Sequence, residues 1–365
     1  MKRCIALLLC CISIFLLASC TPDAEIQLTE EQAWEALTST DYGVVSVTAE
    51  KTAYNYLTGE NNMAQDRVGL RPYCISVNNI DASWPQRGTA AADVIIEMET
   101  EGGITRLMCL YTDTREVSLI GSVRSLRDQF IEAIYPLDPI IVHIGTSIYA
   151  DKALAEHGLL SIDGNYVPKA IWIDQSRLSQ GYSSEHTRFT SGLHIENAIK
   201  ELGMTDKSNM KIDSYFNFAA EDETVTLSGG DANQVAFRFS SNTYDGDFRY
   251  DAASGTYLKF QRDKAQTDSG DEANGAQLAF TNVVLMFADI ETIPNSAGLV
   301  DVNYQSGGKG YYFTNGKYEE FIWKKADYNS NFKFEKADGT EIVFNTGKTI
   351  MCIVRNTYED TLVIS

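Results

Sequence analysis

The chain has 365 residues, of which 50 are acidic and 30 are basic, so its formal net charge is −20 at pH 7. This charge disfavours nucleic acid and anionic membrane surfaces as partners, because both attract basic proteins. The length is sufficient for two domains, each with its own hydrophobic core.

The first residues have the pattern of a secretory signal. Lys2 and Arg3 precede an apolar run over residues 5–18, which is too short for a comfortable transmembrane helix. The run ends in Leu-Ala-Ser-Cys, which resembles the lipobox of bacterial lipoproteins. The resemblance implies that residues 1–19 are cleaved, that Cys20 becomes the lipidated N-terminus, and that the protein is anchored at the extracytoplasmic face of the membrane. An ordinary secretory signal with an incidental cysteine is the alternative.

Three cysteines lie beyond this segment, and each is embedded in an apolar, strand-like run. They are Cys74 in PYCISV, Cys109 in RLMCLY and Cys352 in TIMCIV. Three thiols allow at most one disulfide, so the fold must depend on its core. We expect all three to be buried and unreactive.

Residues 20–65 are predicted to be a tether that follows the lipidated cysteine. A short helix around residues 30–37 lies within it and could equally pack against the first domain.

Residues 66–203 alternate between strand and helix patterns and predict an N-terminal α/β domain. Short β-rich runs are RPYCISVNN, ADVIIEMET, TRLMCLYTD and PIIVHIGTS, whereas SLRDQFIEAIY, SIYADKALAEHG and TSGLHIENAIKELG have apolar residues at helical spacing. Thr190 or Ser191 is the expected cap of the last helix, and Gly203 is its expected end. The pattern predicts a layered α/β sandwich with a mixed sheet.

Residues 204–365 have a different pattern, in which apolar and polar residues alternate between Asp-Gly, Asn-Gly and Ser-Gly turns. Repeated hairpin signals of this kind predict an antiparallel β-rich C-terminal domain. The predicted fold class of the whole chain is therefore α+β.

Several motifs occur in an order that is similar to one known family. They are RPYCISVNNIDASWPQRG, ADVIIEMETEGGITRLMCLY, IGSVRSLRDQF, IVHIGTS, HTRFTSG, TNVVLMF, SGGKGYYFTNGK and FIWKK. This order resembles the YerB-like bacterial lipoproteins, which carry a two-part domain of unknown function, and the resemblance covers roughly residues 65–365. It implies an α+β sandwich followed by a β-rich part, and it implies no activity. Residues 180–185 replace a proline-rich stretch that relatives often have.

Two neighbouring motifs, EMETEGGITR and GSVRSLRD, concentrate charge between apolar runs. Gly102 and Gly103 allow a tight turn, across which Glu101 and Arg106 are predicted to face one another. Ser122 or Ser125 is predicted to cap a helix that starts near Leu126.

That helix start would place Arg124 just outside the helix and Arg127 in its first turn. Guanidinium groups and free backbone N–H groups both suit phosphate or carboxylate, so the region is a candidate anion site. A structural network is the alternative, in which Glu97, Glu99, Glu101 and Asp128 pair with Arg106, Arg124 and Arg127.

Two histidines could join the same cleft. His143 is near the end of an apolar strand, where a hydrogen-bonded core histidine is the alternative interpretation. His186 precedes the last helix of the first domain, and structural capping of its loop is the alternative. His157 and His194 have helical positions that indicate structural roles.

Enzyme and metal patterns fit poorly, so the sequence predicts no cofactor and no metal. Glu101, His143 and His186 are weak catalytic candidates, and Glu97 with Glu99 would be a pair of acids on one strand face. Asp245 with Asp247, and Asp268 with Asp271, suggest calcium, but they lack the full ligand spacing and are more typical of turns.

Aromatic residues are frequent in the C-terminal part, where they could stack on sugar rings or fill the core. They are Tyr244, Tyr250, Tyr257, Tyr304, Tyr311, Tyr312, Tyr318 and Trp323. Because alternating strands fill their cores with aromatic residues, we expect core packing.

Two functional hypotheses follow. The first is a membrane-tethered lipoprotein that binds an anionic envelope glycan or a protein partner through the cleft of Arg106, Arg124 and Arg127. The second is a cell-envelope hydrolase or transferase that uses Glu101 or Glu97 as a base, with His143 or His186 assisting.

Overall fold

The structure, a computed structural model, describes residues 43–241, 245–270, 273–294 and 296–365. The signal segment, Cys20, the helix predicted around residues 30–37, Tyr244 and Asp271 lie outside the described residues.

The strands, in chain order, are β1 (Lys51–Ala53), β2 (Met63–Ala64), β3 (Tyr73–Asn78), β4 (Val94–Glu99), β5 (Thr105–Tyr111), β6 (Ile120–Gly121), β7 (Ile140–His143), β8 (Leu160–Asp163), β9 (Trp172–Ile173), β10 (Arg188–Thr190), β11 (Gln234–Arg238), β12 (Asp245–Asp251), β13 (Thr256–Gln261), β14 (Lys264–Ala265), β15 (Ala279–Phe280), β16 (Asn282–Thr292), β17 (Val300–Asn303), β18 (Gly308–Thr314), β19 (Lys317–Lys324), β20 (Lys333–Glu335), β21 (Thr349–Arg355) and β22 (Val363–Ile364). The α-helices are α1 (Asp128–Ile134), α2 (Ile148–His157), α3 (Gln175–Ser179) and α4 (Gly192–Glu201).

One large sheet runs through the centre of the molecule, in the order β20-β19-β18-β16-β21-β4-β5-β3-β7-β8, with β17 paired to β16. Strand β5 is antiparallel to β4 and β3, whereas β3, β7 and β8 run parallel to one another. The prediction of a mixed sheet in the N-terminal part is confirmed.

The C-terminal part supplies half of this sheet. Strand β21 pairs in parallel with β4 on one side and with β16 on the other. Both strands are continuous apolar runs, VVLMF and IMCIV, which are buried on both faces. Such runs are typical of central strands, which explains why these two do not belong to a separate antiparallel domain.

The remaining C-terminal strands form a second sheet in the order β14-β13-β12-β11-β22, with β15 paired to β13. Its pairs are antiparallel. The hairpin between β12 and β13 turns at Gly255, whose φ is 71°. The hairpin signals in the sequence therefore predict this sheet correctly.

The main sheet is covered on both faces. Helices α1 and α2 pack on one face, where Phe130, Ile134 and Ala150 join a core with Trp323. Helix α4 and the second sheet pack on the other face, where Ile195 and Phe248 share a core with Ile95. The molecule therefore has the α+β layered architecture that the sequence predicts.

Residues 51–64 do not behave as a tether. Strands β1 and β2 pair with each other, and Tyr56, Leu57 and Met63 are buried in the core beneath α1. The apolar side chains in TAYNYL and NMA explain this packing, because burial removes them from water.

Helices α2 and α4 begin at serine residues that cap them, and α2 is followed by a glycine. Ser147 accepts a hydrogen bond from the Ala150 N–H at the start of α2, and Gly158 follows its end with a φ of 62°. Ser191, one of the two predicted caps, accepts a hydrogen bond from the His194 N–H at the start of α4. Cys74, Cys109 and Cys352 are free thiols in the core, as expected.

Candidate functional site

The segment Ser122–Arg127 enters the main sheet between β3 and β7. These two strands pair only as far as Ile75 and Val142, and the segment occupies the space beyond. On one side Val123 forms a bridge with Val77, and on the other side the Leu126 N–H donates to the Gly145 carbonyl at 3.0 Å. The V-R-S-L-R motif thus brings its arginines to the edge of the sheet at which β3 and β7 end.

Helix α1 begins one or two residues later than predicted. Its first residue is Asp128 and its N-cap is Arg127, whose side chain makes no capping hydrogen bond. Ser122 and Ser125 belong to the inserted segment, so the prediction that either one caps the helix is wrong. Backbone pairing with β3 and β7 holds these serines in an extended conformation, which excludes them from the helix start.

Glu101 pairs with Arg127. The distance from Glu101 Oε1 to Arg127 Nη2 is 2.5 Å. Burial alone raises the pKa of the Glu101 carboxyl, but the hydrogen bond and the charge of Arg127 outweigh it, so the pKa is lower than usual. Glu101 forms no direct ion pair with Arg106 in the described structure, because Arg106 lies inside the hairpin opposite Met98 and Glu101 lies in the turn beyond, but the two charges still attract each other.

Arg106 is buried without a carboxylate partner in the described part of the chain. Arg106 is 3% exposed, which is typical of a core residue. Its Nη1 donates a hydrogen bond to the Ser125 carbonyl at 2.6 Å. Burial, together with the positive charges of Arg127 and Arg124, lowers the pKa of Arg106 to about 9, and the negative charge of Glu101 offsets only part of this effect.

Arg124 pairs with Glu185, a residue that the sequence analysis did not select. Its Nη1 lies 2.8 Å from Glu185 Oε2, on the short 3-10 turn Ser184–His186. The Arg124 Nε is buried and has no hydrogen-bond partner among the described residues. Glu185 immediately precedes the candidate residue His186 in the sequence, and this position is the signal by which Glu185 could have been predicted to lie at the site.

The two histidines lie at the same edge of the sheet but have separate partners. His143 Nδ1 is 3.0 Å from the Gly145 carbonyl, and its Nε2 is buried without a partner in the described part of the molecule. His186 Nδ1 is 3.0 Å from Asn78 Nδ2, so the imidazole nitrogen accepts from the amide. Burial lowers the pKa of both histidines.

Glu97 and Glu99 pair with basic residues of the C-terminal part. Glu97 Oε2 lies 2.9 Å from Lys259 Nζ, and neither side chain is exposed. Glu99 Oε2 lies 2.6 Å from Arg355 Nε. The two acids are therefore parts of structural ion pairs, and the predicted pairing of these acids with Arg106, Arg124 or Arg127 is wrong. Asp128 also forms no ion pair with an arginine in the described part of the chain; its Oδ1 accepts a hydrogen bond from Ser147 Oγ at 3.4 Å.

The aspartates that suggest calcium have other roles. Asp247 pairs with Arg249 at 2.5 Å. Asp268 is buried and accepts the backbone N–H groups of Gly88 and Ala90 at 3.1 Å and 2.7 Å. Asp245 accepts the Arg262 N–H at 2.9 Å. Across the described residues, no group of three or more histidine, cysteine or acidic side chains is arranged to hold a metal ion.

The aromatic residues of the C-terminal part mostly fill the core. The fully or nearly fully buried ones are Tyr257, Tyr304, Tyr311, Tyr312 and Trp323. Tyr250 and Tyr318 are partly buried and pack against the same core. Core packing thus accounts for their abundance.

The fold and this edge define a class of protein: a two-part α+β protein with an arginine cluster at one end of a mixed sheet. The chain belongs to the family of proteins of unknown function DUF3048, whose N-terminal domain matches residues 57–205 and whose C-terminal domain matches residues 235–351. The resemblance to YerB-like proteins is confirmed by this membership together with the similarity to YerB itself.

Two comparisons concern the YerB protein of Bacillus subtilis. The chain is 28% identical to YerB of strain 168, a proposed lipoprotein, over 291 residues, which are 78% of this chain and 81% of YerB. The crystal structure of YerB superimposes with a TM-score of 0.72 at 27% identity and covers 85% of this chain and 99% of that chain. Among the residues the structure describes, no helix is long and apolar enough to cross a membrane.

Proposed function

We propose that this protein is a lipid-anchored extracytoplasmic lipoprotein that binds an anionic component of the cell envelope. The binding site is the arginine site, which we define as Arg106, Arg124 and Arg127. The observation that supports it is an imbalance of charge. Among the described residues, Arg127 is paired with Glu101 and Arg124 with Glu185, whereas Arg106 has no paired carboxylate and is repelled by the other two arginines.

Arg106 gives the site its unbalanced positive charge. Its guanidinium is buried and donates to a neutral carbonyl, and Arg124 and Arg127 both lower its pKa. A buried charge is costly unless it is paired, so an incoming anion would relieve this cost. The local charge is also opposite to the net charge of −20 on the chain, which makes it distinctive.

The geometry suits phosphate or carboxylate. Guanidinium groups form paired hydrogen bonds to both groups, and the unpartnered Nε of Arg124 is one donor available for such a bond. Glu185 presently holds the Nη1 of Arg124, and its side chain is 51% exposed. An anionic ligand would take the place of this carboxylate, which can turn outward into solvent.

The membrane anchor is proposed from the sequence and from the relative. Leu17-Ala18-Ser19-Cys20 resembles a lipobox, and the similar YerB protein is itself a proposed lipoprotein. Lipidation at Cys20 would hold the arginine site outside the cytoplasmic membrane, where the anionic ligand is an envelope glycan or an acidic segment of a partner protein.

The hydrolase hypothesis receives less support from the same geometry. A general base must be free to accept a proton near neutral pH, but Glu101 is paired with Arg127 and its pKa is lowered. Glu97 is enclosed with Lys259. Within the described residues, neither glutamate is hydrogen-bonded to His143 or His186. This pairing favours the binding of an anion over the activation of a water molecule.

A thermal-shift screen tests the proposal. Inorganic phosphate, glycerol phosphate, muropeptides, phosphosugars and nucleotides are each added to the wild-type protein, to Arg124→Gln and to Lys200→Gln. Lys200 is an exposed cation on α4 and serves as the control for loss of one positive charge. A probe at a hundred times its dissociation constant adds about 2.7 kcal/mol to the free energy of unfolding.

We expect an anionic probe to raise the melting temperature of the wild type and of Lys200→Gln, and to lose this effect in Arg124→Gln. The proposal is wrong if no anion stabilises the wild type while Arg124→Gln melts much earlier than Lys200→Gln. That result would assign the arginines to the fold alone.

A further inference from the structure

A cavity, which we call the acidic cavity, is lined by residues of α1, α2 and β17. Its volume is about 200 Å³, and four carboxylates line it: Asp128, Glu132, Glu156 and Asp301. None of the four forms an ion pair with a residue in the described ranges. Lys152 also lines the cavity, but it is exposed on α2 and likewise forms no such pair.

The negative charge of this cavity is concentrated and partly removed from water. Burial raises the pKa of the Asp128 carboxyl, and the nearby charge of Asp301 adds to the effect. Burial also raises the pKa of Glu132, and the hydrogen bond from Gln305 and the charge of Lys325 offset only part of this effect. Carboxylates that repel one another in a partly buried site are stabilised by a cation placed between them.

Gln129, which lines the same cavity, has a buried acceptor that lacks a hydrogen-bond partner among the described residues. Gln129 is 4% exposed, and its Nε2 donates to the Glu99 carbonyl at 3.3 Å. This contact fixes the amide orientation, so that Oε1 is the atom left without a partner in the described part of the chain. A buried acceptor normally has a donor, so Gln129 indicates a ligand or water with an N–H or O–H group.

Tyr328 provides a second polar atom and an aromatic wall. Its hydroxyl is buried without a hydrogen-bond partner among the described residues, and its ring lines the cavity. The ring stacks on His157 with the centroids 3.9 Å apart, and Tyr135 packs edge-on against both rings. Aromatic faces attract cations and also cover apolar stems.

We propose that the acidic cavity binds a primary ammonium group at the end of an aliphatic stem. The ammonium would donate to Gln129 Oε1 and to the carboxylates of Asp128 and Glu132, while its stem would lie along Tyr328. Three N–H donors match several separate acceptors, which a quaternary ammonium cannot do. A metal ion is disfavoured, because no group of three or more metal-binding side chains is suitably arranged in the described residues.

Ligand-observed NMR on the purified protein tests this site with defined probes. The probes are 1,5-diaminopentane and Nα-acetyl-lysine amide. Tetramethylammonium is the control that has the positive charge but no N–H donor, and 1-pentanol is the control that has the aliphatic stem but no charge. We expect one or both primary amines to bind and both controls to fail. Binding of the diamine alone indicates a small polyamine, and binding of the lysine amide alone indicates a lysine side chain of a peptide.

Matched variants locate the binding. Glu132→Gln should weaken amine binding roughly tenfold or more, as expected for the loss of a hydrogen bond between charged groups. Asp301→Asn, at an exposed position, should weaken it without affecting folding, and Glu223→Gln, an exposed glutamate elsewhere, should leave it unchanged.

The proposal is overturned if neither amine binds, if the controls bind equally well, or if Glu132→Gln and Asp301→Asn bind the amines like the wild type. Displacement of the amines by an equal concentration of calcium would identify a metal site and would also overturn it. Because the arginine site shares none of these residues, the result does not depend on the proposed anion binding.

Discussion

Glu97 of β4 and Lys259 of β13 form an ion pair that no solvent reaches. The Oε2 to Nζ distance is 2.9 Å, and both side chains have 0% exposure. Asn79 and Thr105 also donate to Glu97 Oε1, each at 2.8 Å. The pair joins the main sheet to the second sheet within a small buried polar cluster, in which Gln266 of the C-terminal part also donates to Asn79.

Breaking this pair should destabilise the protein strongly. Glu97→Gln leaves the Lys259 ammonium buried without a counter-charge, which we expect to lower the free energy of unfolding by about 3–5 kcal/mol. Urea denaturation measures the change. The double variant Glu97→Gln/Lys259→Met should lose much less than the sum of the two single variants, because no charge remains buried. Additive losses would show that the two residues do not act as a pair.

The two family segments should fold only together. Strand β4 pairs with β21 from Val94 to Met98, so a fragment of residues 57–205 exposes an apolar strand edge. Exposed edges of this kind promote aggregation. Circular dichroism and light scattering should show the fragment unfolded or aggregated, and co-expression with residues 206–365 should recover a soluble complex. A fragment that is monomeric and folded by itself would contradict the shared sheet.

The sequence predicts the features that depend on neighbouring residues. Ser191 caps its helix as predicted, because a cap acts on the next helical turn. The pairing of β21 with β4 is not predictable in this way, because it joins distant segments and has no local turn. The sequence includes the Glu101–Arg127 pair in a possible network of acids and arginines but cannot single it out, because the pair depends on the register of the β4–β5 hairpin and on the insertion of Ser122–Arg127 between β3 and β7. Both are properties of the whole sheet.

Gly192 should not tolerate a side chain. A Cβ at this position would lie 2.0 Å from the Thr114 carbonyl oxygen and 2.7 Å from the Arg115 Cα. Because backbone atoms cannot move aside easily, Gly192→Ala should cost about 3 kcal/mol or more, at the upper end for overpacking. Gly339→Ala is the comparison, since its Cβ would meet nothing within 4 Å although its φ is 86°. Equal melting temperatures for the two variants would refute the expected clash.

Acid should destabilise the protein in the range in which histidine titrates. Burial lowers the pKa of His143 below its ordinary value of 6.5, so the unfolded chain binds a proton more readily than the folded one. The resulting stability is complete above the ordinary pKa and is lost as the pH falls through the folded-state pKa. The free energy of unfolding should therefore decrease between about pH 7.5 and about pH 5.5.

His143→Asn should reduce this dependence, since asparagine does not titrate and its side-chain Nδ2 can replace the Nδ1 that contacts the Gly145 carbonyl. Urea denaturation of the wild type and the variant at both pH values measures it. The same decrease in both proteins would mean that His143 does not contribute.

The central claim is that the arginine site binds an anion for which Glu185 competes. The most direct test is isothermal titration of inorganic phosphate into the wild type, Glu185→Gln, Arg124→Gln and Lys200→Gln. Removal of the competing carboxylate should strengthen phosphate binding roughly two- to five-fold, which corresponds to the strength of a partly exposed ion pair. Arg124→Gln should abolish binding, and Lys200→Gln should bind like the wild type. Equal binding by all four proteins, or none by any, would contradict the account.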